Sequence, residues 1–343
     1  MSLRAPSEAI QFKMQHLLLL ILITLLSSPV QAASNTTQRI INKGITDLNE
    51  INIKKKTKKL VIKKNDIDSI QDFTIPENIR TFIFEKNDTS SINGLILNEK
   101  LKKLVIFDNN ISSIKNFNPN SNLDEIELGF NQLTSLDGLD FSNTQLSRFS
   151  IFDNRVETLN GLILNNDLRS MTLNNNQIHS IDTYIFPSEL KILNLTNNSI
   201  TSFNGSMINS NLEVLALVGN LFSTYSDIIN LPENLQGFVF GSTSVDSQDF
   251  TGLVLPENLE LLSFGVTGAT QEDLTTLAIP PNLKTLDLSV NSITSLDGLE
   301  FPSSLRKLDL RNNPISKEEK RIIQRRFKKE IPKLKIKFGT IKL

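Results

Sequence analysis

The stretch Leu283–Leu296, with the sequence LKTLDLSVNSITSL, decides how this chain folds. Apolar residues stand at its first, fourth, sixth, eleventh and fourteenth places, and Asn291 stands at its ninth. The same pattern recurs along the chain at a spacing of 22 to 24 residues, which gives about twelve repeats. A thirteenth, degenerate unit around Ile45 and Leu48 precedes them.

One repeat is too short to bury its own apolar face, so the repeats must stack and share a continuous core. The step of two residues between apolar positions, as in Leu104 and Ile106, is typical of a short strand. Stacked copies of that strand predict a parallel sheet whose intervening side chains face solvent.

The ninth place of the repeat is almost always asparagine, and we interpret this column as structural. Its side-chain amide can both donate to and accept from backbone groups in the turn after the strand, where those groups would otherwise be buried without partners. The predicted asparagine ladder consists of Asn65, Asn87, Asn109, Asn131, Asn154, Asn176, Asn198, Asn220, Asn291 and Asn313. Thr243 and Thr267 replace the asparagine in two repeats.

The pattern LxxLxLxxN in units of about 22 residues resembles the leucine-rich-repeat family, and the segment xIxSLxGL after the asparagine looks most like the internalin type. The resemblance implies an α/β repeat fold. This is a curved right-handed solenoid with a parallel β-sheet on the concave face and short 3-10 or extended segments on the convex face. It also implies protein recognition more often than chemistry. We find no sorting motif of the LPxTG kind and no immunoglobulin-like module, so cell-wall anchoring and host-receptor binding are not carried over.

The chain is expected to divide into a signal peptide at 1–32, a partial N-terminal repeat or cap at 33–56, leucine-rich repeats at 57–315 and a C-terminal helix-strand cap at 316–343. Basic residues precede the apolar run Leu17–Leu26, and small residues near Ala32 favour cleavage after it. The run is about half as long as the roughly 20 residues of a spanning helix. We therefore expect a secreted or extracytoplasmic protein without a membrane span in the mature chain. An uncleaved anchor is the alternative.

The C-terminal cap has its own signals. Ser316 and Glu319 form a candidate capping box, and Pro332 ends the helix that follows. The apolar face of that helix is predicted to consist of Ile322, Ile323, Phe327 and Ile331.

Charge is unevenly distributed, although 36 Lys and Arg nearly balance 37 Asp and Glu. Residues 316–343 hold eleven basic residues against three acidic ones, and 65–315 hold 14 against 31. The basic ends are either a site for an anionic partner or a solvated capping surface. Without interleaved aromatic residues they do not indicate a nucleic-acid module.

Two groups of apolar residues fall on the solvent-facing places of the predicted sheet, where polar residues are expected unless something binds. Phe107, Phe130 and Phe152 occupy neighbouring places in three consecutive repeats, and Val105 stands beside the first. The second group, with Ala216 and several glycines, forms a smooth patch of Val214, Val218, Val239, Leu261 and Val266. Repeat drift or contact with another copy is the alternative explanation for this patch.

The composition argues against catalysis. Cysteine is absent, and His179 is the one histidine outside the leader, in a turn where a surface position is expected. No metal-ligand cluster or phosphate-binding glycine loop is evident, so we expect no cofactor and no metal. The leading hypothesis is a non-enzymatic binding module that recognises a protein partner through the concave face. The alternatives are an exported effector or adaptor inside a host cell and a hydrolase with an unrecognised site. The identity of the partner and the oligomeric state do not follow from the sequence.

Overall fold

The computed structural model describes residues 36–208, 211–241 and 250–341. The predicted leader at 1–32 and the substituted ladder position Thr243 lie outside these residues. The described chain forms two compact units, which we call the N-terminal unit (36–194) and the C-terminal unit (195–341).

The N-terminal unit is a stack of eight parallel strands in chain order. The strands are β1 Thr37–Ile41, β2 Lys59–Lys63, β3 Thr81–Glu85, β4 Lys103–Phe107, β5 Glu125–Glu127, β6 Arg148–Ser150, β7 Ser170–Thr172 and β8 Ile192–Asn194. Each strand pairs with the next at a register of one repeat, so that Lys59 stands opposite Thr81 and Thr81 opposite Lys103. A 3-10 turn at Leu48–Glu50 follows β1.

The C-terminal unit repeats this arrangement in six parallel strands and adds a pair of two-residue strands, β9 and β11. The strands are β9 Phe203–Asn204, β10 Val214–Ala216, β11 Ile228–Ile229, β12 Gly237–Val239, β13 Leu261–Ser263, β14 Thr285–Asp287, β15 Lys307–Asp309 and β16 Lys335–Lys337. Its short helices are 3-10 turns at Gly205–Met207 and Tyr225–Asp227 and the single-turn helix α1, Gln271–Leu274.

The core of each unit is made by the alternate residues of the strands, because successive side chains of a strand point to opposite faces. Leu104 and Ile106 of β4 are fully buried, and so are Leu128 and Leu217 just after their strands. The predicted parallel sheet of stacked repeats, with 3-10 and extended segments between the strands, is confirmed.

The ladder asparagines lie under the turns that follow the strands, and nine of the ten are buried while Asn313 is half-buried. Asn109 shows the arrangement. Its amide nitrogen donates to the carbonyls of Phe107 and Phe84 at 2.9 and 3.2 Å, and its oxygen accepts from the backbone N–H of Asn87 at 3.0 Å. Each amide thus joins its own turn to that of the preceding repeat, which leaves few buried backbone groups unpaired.

The C-terminal cap consists of helix α2, Lys317–Glu330, and strand β16, which pairs with β15. The Ser316 hydroxyl accepts from the backbone N–H of Glu319, but the Glu319 carboxylate accepts from Ser295 and not from the Ser316 backbone. Only half of the capping box therefore forms. Ile323 and Phe327 are buried, whereas Ile322, expected on the apolar face, is half exposed. In the described part of the chain, no helix is long and apolar enough to cross a membrane.

Candidate binding surface

The sheet face, by which we mean the solvent-facing side of strands β2–β7, carries pairs of opposite charges between neighbouring strands. Lys63 contacts Glu85, and Lys103 contacts Glu125, each with 2.6 Å between the ammonium nitrogen and a carboxylate oxygen. Beyond the end of β3, Lys86 pairs with Asp108. Such half-exposed pairs contribute little to stability, at most about 1 kcal/mol each.

Three phenylalanines form a contiguous group on the sheet face, which we call the aromatic cluster. The ring centroids of Phe107 and Phe130 are 5.1 Å apart, those of Phe130 and Phe152 5.4 Å, and those of Phe107 and Phe152 5.9 Å. The Phe130 side chain is 41% exposed, and the other two are half-buried. The structure therefore brings together three residues that the sequence places one repeat apart.

Gly129 leaves the space that the Phe152 ring of the cluster occupies. It stands between Phe107 and Phe152 in the stack, and a β-carbon added to it would lie 2.6 Å from the Phe152 ring. Real β-carbons do not approach a ring so closely, so Phe152 lies against the backbone in space that only glycine leaves open. Gly241 and Gly265 occupy the same register position in later repeats, and what sets Gly129 apart is the phenylalanine on either side of it in the column.

The backbone at Phe130 is left-handed, with φ at 53°. Other repeats use the same conformation at this place, but several fill it with Asp or Asn, as at Asp108, Asp153 and Asn175. Those side chains tolerate a left-handed backbone, whereas a bulky residue there costs about 1 to 2 kcal/mol. Val266 and Val290 adopt the same conformation in other repeats, so the left-handed backbone belongs to the repeat, and the exposure of its large ring is what distinguishes Phe130.

Glu127 lies on the same strand face, two residues before Gly129, and its side chain is half-buried. Burial raises the pKa of this carboxyl above its ordinary value, and the neighbouring carboxylates of Glu125 and Glu85 raise it further, while Lys103 opposes the shift. Sequence reasoning missed this residue, because one acidic side chain in an acidic repeat carries no distinctive signal.

The second predicted patch is not exposed, and that expectation is wrong. No member of it is more than 7% exposed; the residues are Val214, Val218, Val239, Leu261 and Val266. Ala216 is also buried, and a Val218 methyl group leans over Gly241, 3.6 Å from where a β-carbon of that glycine would stand. Apolar side chains gain about 25 cal/mol for each Å² that neighbours cover, which favours such packing. A binding role for these residues stays a prediction, and their burial does not support it.

The basic C-terminal cap uses one of its arginines for structure. Arg326 donates to the carbonyls of Leu296 and Leu299 at 2.9 and 2.5 Å and pairs with Glu330. Arg325 beside it is exposed. Substitution of Arg326 therefore perturbs the cap itself, and only its exposed neighbours can report on a binding role of the basic end.

Groups with catalytic potential are dispersed in the described residues. His179 is exposed in a turn, where its backbone N–H donates to the carbonyl of Glu157. Across 36–208, 211–241 and 250–341, no three His, Asp or Glu side chains are grouped closely enough to hold a metal ion.

A second column of asparagines, which sequence reasoning did not single out, supports the turns away from the sheet. Asn98 donates to the carbonyls of Pro76 and Ile79, and Asn120, one repeat later, donates to those of Asn98 and Leu101. Their recurrence after 22 residues was a signal that could have revealed them.

Comparison with known proteins agrees with this architecture. The family models described as "Leucine Rich repeats (2 copies)" and "Leucine rich repeat" match residues 281–320 and 166–226. No curated protein sequence matches the chain.

Among solved structures, the internalin InlF from Listeria monocytogenes is similar over 90% of this chain and 87% of its own, with 21% identity and a TM-score of 0.62. The functional domain of InlJ from the same organism, which includes a cysteine ladder, is similar over 82% of this chain, with 18% identity and a TM-score of 0.50. TLR13 in complex with ssRNA13 is similar over 89% of this chain, with 15% identity and a TM-score of 0.55. The chain spans 64% of the InlJ domain and 54% of TLR13.

The repeats, the asparagine ladder and these likenesses define a solenoid of leucine-rich repeats. The chain contains leucine-rich repeats at the matched residues 166–226 and 281–320, and its fold is similar to that of the internalin InlF.

Proposed function

We propose that this protein binds a protein partner through the sheet face of its N-terminal unit, with the aromatic cluster at the centre of the contact. The observation that carries the proposal is the mutual contact of Phe107, Phe130 and Phe152 on a solvent-facing surface. Aromatic side chains are enriched among the residues that dominate binding energy, and they act best inside a rim that excludes water. The ion pairs Lys63–Glu85 and Lys103–Glu125 lie on the same face and supply polar surroundings.

A protein is favoured over a nucleic acid by the charge beside the cluster. Glu127 precedes Gly129 on the face and Asp153 follows Phe152 along the chain, whereas the carboxylate of Asp108 is paired with Lys86. Carboxylates repel the phosphates that dominate nucleic-acid affinity. The RNA bound in the TLR13 complex is therefore not the ligand class that we carry over to this chain.

We further propose that the protein acts by binding and not by catalysis. Its exposed cluster is apolar, and such a surface offers contact area without a nucleophile or a proton donor. His179 is exposed, and within the part of the chain that the structure describes no hydrogen bond joins its ring to a carboxylate.

The proposed division of the chain is a cleaved leader at 1–32, an N-terminal cap at 33–56, repeats at 57–315 and a C-terminal cap at 316–343. Export is supported by the leader sequence, with its basic start and apolar run. An exported effector or adaptor that acts inside a host cell uses the same binding face, and the location of the partner distinguishes the two roles.

Photo-cross-linking tests the proposal. A benzophenone amino acid replaces Phe130 in one variant and Ile185 in another; Ile185 is 86% exposed in a turn of the same unit. We expect a discrete cross-linked protein from position 130 that does not form from position 185. Equal cross-linking from both positions, or cross-linking from position 185 alone, would contradict a contact centred on the cluster.

A further inference from the structure

The aromatic cluster is bordered by a carboxylate that the fold does not use. In the register of the sheet, Val105, Glu127 and Ser150 stand side by side on β4, β5 and β6. Phe107 and Phe152 follow two residues after Val105 and Ser150, and Gly129 follows two residues after Glu127. Alternate residues of a strand share a face. Glu127 therefore lies on the same face as Gly129, at the edge of the aromatic cluster.

The basic side chains on the strands beside β5 pair with Glu125. Lys103 contacts Glu125 at 2.6 Å, and Arg148 approaches the other oxygen of Glu125 at 3.9 Å. Among the described residues, Glu127 accepts no hydrogen bond and forms no ion pair within 4 Å. It is a half-buried carboxylate that has lost part of its hydration without gaining a hydrogen bond or a close ion pair, and the charge of Lys103 offsets only part of that loss.

Such a carboxylate is costly for the fold, because removing a charge from water is unfavourable unless another charge or a donor compensates. A cation delivered by a binding partner would compensate that cost. The same cation would meet the faces of aromatic rings, to which ammonium and guanidinium groups are attracted. An acidic or phosphorylated group would be repelled from the same place.

We propose that the aromatic cluster and Glu127 together receive a lysine or arginine side chain of the protein partner, flanked on the partner by apolar residues. The methylene groups of that side chain pack on Phe107 and Phe152, and its charged end pairs with Glu127. This inference rests on the proposed function and adds the chemistry of the recognised residue.

Selection from a random peptide library displayed on phage tests it with the purified protein. Four baits are compared: the wild type, Glu127→Gln, the pair Phe107→Ala with Phe152→Ala, and Glu157→Gln. Glu157 is exposed in a turn of the same unit, so its variant removes the same charge away from the cluster. Only peptides that fail to bind the variant Phe107→Ala with Phe152→Ala are counted as dependent on the cluster.

We expect cluster-dependent peptides from the wild type and Glu157→Gln to be enriched in Lys or Arg next to apolar residues, and those from Glu127→Gln to lack that enrichment. A synthetic wild-type-selected peptide should bind Glu127→Gln at least about 10-fold more weakly, since a charge-assisted hydrogen bond is worth roughly 1.5 to 3 kcal/mol. Norleucine in place of its lysine should cause a similar loss on the wild type and little loss on Glu127→Gln.

The two proposals fail in different ways. Cluster-dependent peptides that carry no basic residue, or that are equally basic for Glu127→Gln and the wild type, would overturn the cation inference and leave the binding face standing. If no selected peptide depends on Phe107 and Phe152, the proposed function fails, and this inference fails with it.

Discussion

The ring of Phe152 lies against the backbone of Gly129, at a place where a β-carbon would stand 2.6 Å from a ring atom. This contact joins two neighbouring repeats across the sheet face, because the ring can reach Phe107 and Phe130 only if position 129 has no side chain. The aromatic cluster therefore depends on the absence of a side chain at position 129 as well as on the three phenylalanine rings.

Gly129→Ala should displace the Phe152 ring and destabilise the protein by about 1 to 3 kcal/mol, the usual cost of overpacking. The added methyl group has no ring to meet when Phe152 is Ala, so Gly129→Ala should cost much less in that background. Chemical denaturation of the four proteins of this double-mutant cycle measures the coupling. Equal costs of Gly129→Ala in both backgrounds would show that the ring does not need the glycine.

The ladder predicts a large effect from Asn176→Leu. The Asn176 amide donates to the carbonyls of Ile151 and Leu173 at 3.1 and 3.0 Å, and it accepts from the Val156 N–H at 3.0 Å. Leucine leaves these buried groups unpaired, which should cost on the order of 1 to 3 kcal/mol. Gln177→Leu is the matched control, since Gln177 is the adjacent amide and is exposed. Thermal unfolding that is equally affected by both variants would contradict a specific role of the ladder.

Glu127→Gln should stabilise the fold at neutral pH. Burial raises the pKa of Glu127, with Glu125 and Glu85 adding to the shift and Lys103 opposing it, so the folded protein binds this proton more readily than the unfolded chain does. Above both pKa values the carboxylate is charged and destabilises the fold. Below both values it is protonated in either state, and the penalty disappears.

The melting temperature of Glu127→Gln should therefore exceed that of the wild type at neutral pH, and the difference should close as pH falls through the carboxyl range. Glu157→Gln, which changes an exposed carboxylate, should show little difference at any pH. A variant less stable than the wild type at neutral pH would mean that Glu127 has a stabilising partner. Higher stability combined with weaker peptide binding is the outcome that separates a binding role from a structural one.

Export predicts a defined N-terminus. Cleavage after Ala32 makes Ala33 the first residue of the protein recovered from the medium or periplasm. N-terminal sequencing of that material shows whether the leader is cleaved after Ala32. An intact leader recovered with the membrane fraction would instead favour the uncleaved anchor.

Features that recur in every repeat could be predicted from the sequence. Features that depend on the neighbours of one side chain could not. Paired apolar residues such as Leu104 and Ile106, and the amide of Asn176, recur with the repeat, so their burial follows from stacking alone. The exposure of Val218 and Val239 was predicted wrongly, because a place that faces away from the core can still be covered by its neighbours. The unpaired state of Glu127 was beyond prediction, since it depends on Lys103 and Arg148 turning to Glu125.

The dissociation constant of the cross-linked partner for the Phe107→Ala, Phe152→Ala variant decides whether the aromatic cluster is the binding site. Ile163→Ala with Ile185→Ala is the control, because it removes exposed apolar side chains from turns of the same unit. Arg325→Glu with Lys328→Glu examines the exposed residues of the basic cap while leaving Arg326 in place. We expect at least about 10-fold weaker binding for the phenylalanine pair alone, in line with roughly 1 to 2 kcal/mol for each buried aromatic anchor. Normal binding by the phenylalanine pair together with lost binding by the cap pair would place the site on the basic cap and not on the aromatic cluster.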